Sequence, residues 1–131
     1  MEYLVGLLLA LGVAAFAIVV GFHRDRAFYP TVAIVVASYY ILFAVMGASG
    51  RTLAMELLAA CVFIVLAVAG YKETQWLVVA ALVGHGLFDS IHHLIIANPG
   101  VPAWWPGFCL AFDAAFGAAL AMHLLRSPRS A

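Results

Sequence analysis

The chain is a succession of long apolar segments separated by short polar breaks. A helix needs about 20 apolar residues to cross the hydrocarbon region of a bilayer. Five segments approach or reach this length, over residues 3–22, 31–47, 52–70, 75–97 and 107–125. The pattern therefore predicts an all-α integral membrane protein, a bundle of five transmembrane helices that forms one domain over residues 1–131.

The breaks between the segments contain residues that end helices. The first is charged and ends at Pro30, which suits the first turn of the following helix. The fourth, NPGVPAWWPG, holds three prolines and cannot continue a helix. Because the breaks are short, neighbouring helices should run antiparallel. The first segment lacks the basic start of a signal peptide, so we expect it to remain as a span.

Basic residues predict the orientation of the bundle in the membrane. With five alternating spans, one end receives Arg24, Arg26, Lys72, Arg126 and Arg129, whereas the other end receives Arg51. Basic loops stay in the cytoplasm. We therefore expect the N-terminus outside and the C-terminus in the cytoplasm. Trp104 and Trp105 then lie at the outer interface, where aromatic side chains anchor membrane proteins.

Composition supports the membrane assignment and narrows the partners. The chain is 67% hydrophobic and 9% charged, whereas soluble domains are about half apolar and a quarter charged. A net charge of zero provides no basic surface for nucleic acid, so membrane lipids are the expected surroundings. Ala10, Ala14 and Ala17 recur at helical spacing and favour close packing within the chain, with a homodimer or larger membrane complex as the alternative.

The fourth segment carries the polar stretch HGLFDSIHH, which is unusual inside a membrane span. At about 100° per residue, His85, Asp89 and His92 fall within an arc of about 60°, and His93 lies at the edge. Lipid-facing charge is unfavourable, so the stripe should face the interior of the bundle. An aspartate within a span costs about 3 kcal/mol. The helix should therefore depend on neighbours that pair with these groups.

Depth along the spans predicts which side chains those neighbours supply. Asp113 lies about 9 Å into the fifth span, level with Asp89 and His92, and Glu56 enters the third span from the same side. Imidazole and carboxylate groups together suit a divalent transition metal, with zinc or iron favoured. The predicted metal ligands are Asp89, His92, His93 and Asp113. His85 completes the shell or acts in catalysis, and Glu56 is a candidate general base.

Three classes of function fit this set of residues. The leading hypothesis is metal binding in the outer half of the membrane, for hydrolytic or oxidative chemistry on a lipid-like substrate. The second is a proton or metal-ion pathway, because chains of Asp, Glu and His serve as relays in membranes. The third is a structural or accessory subunit of a membrane complex. In a purely structural role, Asp113 with His92 and Asp89 with His85 would be buried pairs that join helices.

The stretch HGLFDSIHHLIIANPGVPAWWPGFCLAFD resembles a family of short bacterial integral membrane proteins of unknown function. The His-containing span, the NPGVP-x-WWP loop and the FCL-x-x-D segment are its most specific parts. The resemblance implies a bacterial inner-membrane protein and brings no activity with it. Asp89-x-x-His92-His93 is also similar to the HxxHH box of membrane desaturases, with aspartate in the first position. A likeness to ceramidase-type metallohydrolases would need a histidine at position 89.

Overall fold

The structure is a computed structural model that describes residues 1–131, apart from the side chain of Ser130. The described chain forms the helices α1 (Glu2–Val20), α2 (Phe28–Gly47), α3 (Gly50–Lys72), α4 (Trp76–Ile95) and α5 (Trp105–Arg126), with short 3₁₀ turns at Phe22–Arg24 and Pro128–Ser130. All five α-helices are long and apolar enough to cross a membrane. This confirms the predicted all-α architecture with five helices that could span a membrane.

Local sequence explains where several helices begin and end. Gly21 ends α1 in the left-handed conformation, with φ of 94°, which glycine adopts without steric cost. The side chain of Ser49 caps α3 by accepting a hydrogen bond from the backbone N–H of Thr52. Pro106 lies in the first turn of α5, where its missing N–H is not needed.

The helices α4 and α5 pack against each other in the middle of the bundle. Helix α1 packs along α5, α3 packs along α4, and α2 packs along α3 while also touching α4. The buried face of α1 consists of the small residues Gly6, Ala10, Ala14 and Ala17. A Cβ atom at Gly6 would collide with the carbonyl oxygen of Phe108 on α5. The small face of α1 therefore packs within the chain and lets two backbones approach closely.

Glycines also bring α4 and α5 close together. A Cβ atom at Gly86 would lie 3.1 Å from the Cβ atom of Asp113, and one at Gly117 would lie 3.0 Å from the side chain of Val83. This close approach of the two helices places the side chain of Asp113 directly against α4.

The antiparallel course of the helices gathers Arg24, Arg26, Lys72 and Arg126 at one end of the bundle, here called the basic end. Arg26 donates hydrogen bonds there to the carbonyl oxygens of Tyr71 (2.6 Å) and Glu73 (3.1 Å). These carbonyls stand at the end of α3, where the helix itself supplies no donors. The other end, here called the loop end, carries residues 96–104.

The interior differs between the two halves of the bundle. Toward the basic end it is mainly apolar and tightly buried, with Val78, Leu82, Phe116, Leu120 and Leu124 all 2% exposed or less, and with Gln75 buried at the start of α4. Toward the loop end it contains the buried polar residues Glu56, His85, Asp89, His92 and Asp113. Large apolar side chains such as Leu8, Phe16, Leu42, Val65 and Leu94 are exposed on the outside. A polar interior inside an apolar exterior is the arrangement expected in a bilayer.

Candidate metal centre

One face of α4 supplies three buried polar side chains. His85, Asp89 and His92 are 4%, 0% and 2% exposed. Their spacing of four and three residues places them one above the other on a helix. The predicted interior-facing stripe is therefore present in the structure. His93, one residue further and about 100° around the helix, is exposed.

Three of the buried groups converge between α4 and α5. Nδ1 of His85 donates a hydrogen bond to Oδ2 of Asp113 over 2.7 Å, and Oδ2 of Asp89 lies 3.6 Å from the same nitrogen. One potential ligand atom from each of the three residues lies within 4.8 Å of the other two. His85, Asp89 and Asp113, here called the deep cluster, could therefore hold a metal ion.

The deep cluster contains more acceptors than donors. Among the described side chains, neither carboxylate oxygen of Asp89 has a hydrogen-bond partner, and Oδ1 of Asp113 also has none. The Tyr40 hydroxyl and the Cys109 thiol lie beside Asp89 but outside hydrogen-bonding geometry. Leaving buried carboxylate oxygens without partners costs free energy. A cation between them would remove this cost.

The distances within the deep cluster suit a single ion. Zinc binds nitrogen and oxygen at about 2.0–2.2 Å, so two ligands of a tetrahedral ion lie about 3.4 Å apart. The 3.6 Å between His85 and Asp89 already matches this spacing. The 2.7 Å between His85 and Asp113 would have to open by about 0.7 Å, which a side-chain rotation can supply. Three protein ligands with one open position are typical of catalytic zinc sites.

A second polar group lies nearer the loop end. Nε2 of His92 donates a hydrogen bond to Oε1 of Glu56 over 2.8 Å, and the side-chain amide of Asn98 donates to the same oxygen, also over 2.8 Å. Glu56 is 1% exposed. We call Glu56, His92 and Asn98 the upper group. It ties α3, α4 and the loop after α4 together.

The structure rearranges the pairs that depth along the spans suggested. Asp113 bonds to His85 and not to His92, because α5 approaches α4 closely at Gly86, beside His85. His92 faces α3 instead, where Glu56 is the acceptor. Helical rise estimates depth, but the rotation and tilt of each helix decide which side chains meet.

Of the predicted metal ligands, Asp89 and Asp113 lie together and His85 joins them. His92 belongs to the upper group, although it was predicted as a ligand of the same ion. His93 is exposed and lines a cavity at the loop end, so it does not complete the deep cluster. Glu56, the candidate general base, is the partner of His92.

Asn98 is a part of the site that sequence reasoning missed. Its Oδ1 accepts from the backbone N–H of Gly100 over 3.1 Å, and its amide also donates to the carbonyl of Tyr40 over 3.3 Å. Asparagine commonly bonds to the backbone two residues on in a turn, so the local bond was foreseeable. The hydrogen bond from Asn98 to Glu56 was not foreseeable, since it depends on where the loop lies in the tertiary structure. Through Asn98, the loop after α4 covers the upper group.

The side chain of Tyr40 lies between the two polar groups. Its ring centroid is 4.1 Å from that of His92 and 6.3 Å from that of His85. Phe63 and Phe88 enclose the same two histidines, at 5.0 Å from His85 and 5.6 Å from His92. The neighbouring Tyr39 packs its ring against Trp105, with the ring centroids 5.0 Å apart.

Two cavities approach these groups from different directions. A lateral groove of about 850 Å³ separates α1 from α2, and its lining includes Leu9, Val36, Phe112 and Cys109. A second cavity of about 490 Å³, here called the end cavity, opens at the loop end and is lined in part by His92 and Asn98. The groove is almost entirely apolar, whereas the end cavity is mixed in character.

No protein-family model, curated protein or solved structure matches the chain. The resemblance to short bacterial membrane proteins therefore stays a prediction.

Proposed function

We propose that this membrane protein binds a divalent transition metal ion, zinc or iron, between His85, Asp89 and Asp113. The observation that carries the proposal is the set of three buried carboxylate oxygens that lack partners beside an imidazole. Acidic groups inside a membrane pair with other groups or mark a functional site. A divalent cation would balance the two carboxylates and use the free oxygens as ligands.

We further propose that the metal serves an enzyme that acts on a lipid-like substrate. A bound zinc ion would activate water for hydrolysis of an ester or amide, and iron would support oxidation. The lateral groove supports a lipid-like substrate, because its lining residues on α1 extend over about 18 Å of helix. Cys109 lines the groove while its thiol lies beside Asp89. This residue separates the groove from the deep cluster.

The proposal includes a location in the inner membrane of a bacterium. The positively charged basic end would face the cytoplasm, as basic loops do. The upper group and the end cavity would then lie in the outer half of the bilayer, and the lateral groove would open toward lipid.

A pathway across the whole membrane has less support. Beyond His85 toward the basic end, the interior is built from apolar residues such as Val78, Leu82 and Phe116. His123 lies near that end, where its ring is 5.6 Å from the ring of His23. A relay would have to cross the apolar layer between them. An accessory subunit, the remaining alternative, would need neither the metal nor the groove.

Metal content of the purified protein tests the proposal. The protein in detergent would be loaded in turn with Zn, Fe, Mn, Ni and Cu, desalted, and analysed for metal per chain. We expect near-stoichiometric metal in the wild type and its loss in His85→Gln. His93→Gln is the matched control, because it removes an imidazole from the same helix outside the deep cluster.

Folding of each variant would be checked by circular dichroism before its metal content is compared. Equal metal content in folded His85→Gln and the wild type would refute the assigned ligands. Failure of the wild type to retain any of the five metals would refute metal binding itself.

A further inference from the structure

A small cavity lies between α2, α3 and α4, at the junction of the two polar groups. Its volume is about 10 Å³, and its lining includes the polar residues Tyr40, Glu56 and His85. The other walls are alanines and the rings of Phe63 and Phe88. The cavity therefore touches the upper group through Glu56 and the deep cluster through His85.

Two buried polar atoms on residues that line this cavity have no hydrogen-bond partner among the described residues. They are the hydroxyl of Tyr40 and Oε2 of Glu56. Tyr40 is 3% exposed and Glu56 is 1% exposed. The other carboxylate oxygen of Glu56 already accepts from His92 and Asn98. His85 bonds to Asp113 through Nδ1, so its second ring nitrogen is not used in that bond.

The size and lining of the cavity suit one water molecule. A buried water needs about 10–15 Å³ and two to four polar partners, and typically satisfies groups that lack protein partners. A second metal ion is a poorer fit. Glu56 is the only acidic residue on the wall among those described, and two donors already engage it.

We propose that one water molecule occupies this cavity and joins the upper group and the deep cluster into one hydrogen-bonded chain. The chain runs from the end cavity through His92 and Glu56 to the water, and from there to His85 and Asp113. It connects the deep cluster with the solution at the loop end alone, because the interior toward the basic end is apolar. In the metal-free protein, protons would then reach His85 from one side of the membrane.

Transfer of magnetisation from water to side chains, measured by NMR in lipid bilayers, tests this proposal. The protein would carry isotope-labelled histidine and phenylalanine, with His85 and His92 assigned from single variants. We expect transfer to His85 to approach that to His92 and to exceed transfer to the ring of Phe116 several-fold. Phe116 is the reference because it is 0% exposed and lies in the apolar interior. Transfer to His85 no faster than to Phe116 would overturn the proposal.

A variant that fills the cavity separates this route from any other. Ala60 lines the cavity and is buried, whereas Ala54 is exposed on the same helix. Ala60→Val should lower transfer to His85 several-fold and leave His92 unchanged, because His92 lines the end cavity directly. Ala54→Val should change neither. Undiminished transfer to His85 in folded Ala60→Val would overturn the proposal. If Ala60→Val does not fold, Ala59→Val takes its place, because Ala59 lines the same cavity.

Discussion

Replacing Asp89 by asparagine should stabilise the metal-free protein and abolish its stabilisation by metal. Asp89 is fully buried, and neither of its carboxylate oxygens has a partner among the described side chains. Asparagine has nearly the same shape and carries no charge. The substitution therefore removes a buried carboxylate that has no hydrogen bonds to lose, and it also removes a proposed ligand.

The magnitudes follow from the burial and from the binding equilibrium. A buried polar group without a partner costs about 1–3 kcal/mol, and more when it is charged. Because asparagine remains polar, we expect Asp89→Asn to gain only about 1 kcal/mol in the free energy of unfolding without metal. At a metal concentration of 100 Kd, the wild type gains about 2.7 kcal/mol from binding. The order of stability should thus reverse when metal is added.

Unfolding in mixed micelles, followed by circular dichroism, measures both states. Each protein would be compared in excess chelator and in saturating zinc. Glu73→Gln is the control, because it neutralises an exposed carboxylate at the basic end. If Asp89→Asn is less stable than the wild type in chelator, the reasoning is refuted. Asp89 would then act as a favourable structural partner of His85, 3.6 Å away.

Further substitutions probe helix packing at the deep cluster, the upper group and the hydrogen bonds at the basic end. Gly86→Leu should push α5 away, cost about 1–3 kcal/mol and abolish metal binding. Gly84→Ala should be tolerated, since its Cβ would meet its nearest neighbour at 3.8 Å. Equal metal content in Gly86→Leu and Gly84→Ala would contradict the expected difference between them. Glu56→Ala leaves His92 without its acceptor and should cost about 2–4 kcal/mol in unfolding experiments. Glu56→Gln should cost less than half as much, and equal losses would argue against the bond. Arg26→Met should cost about 1–3 kcal/mol by removing hydrogen bonds to the end of α3, and an unchanged melting temperature would contradict that role.

Much of the fold could be predicted from the sequence because membrane helices obey local rules. Each must be about 20 residues long and apolar, and each must satisfy its backbone hydrogen bonds internally. Both requirements can be assessed within a single segment. The interior-facing stripe of His85, Asp89 and His92 was predictable for the same reason, since helical periodicity alone places the three on one face.

Partners across helices were not predictable in this way. The sequence placed Asp113 level with Asp89 and His92, yet Asp113 bonds to His85, because glycine at position 86 lets α5 approach there. The pairing of Glu56 with His92, and the arrival of Asn98 from a loop, depend on the rotation of whole helices.

The sequence by itself thus determined the number of helices, their approximate ends and the polar face of α4. Those properties follow from interactions between residues a few positions apart and from the solvent that surrounds each segment. Only the tertiary structure decided that His85 and not His93 joins the two aspartates. It also decided that Tyr40 lies between the two polar groups. Such contacts join residues far apart in the chain, and their geometry is set by the close packing of small side chains between helices.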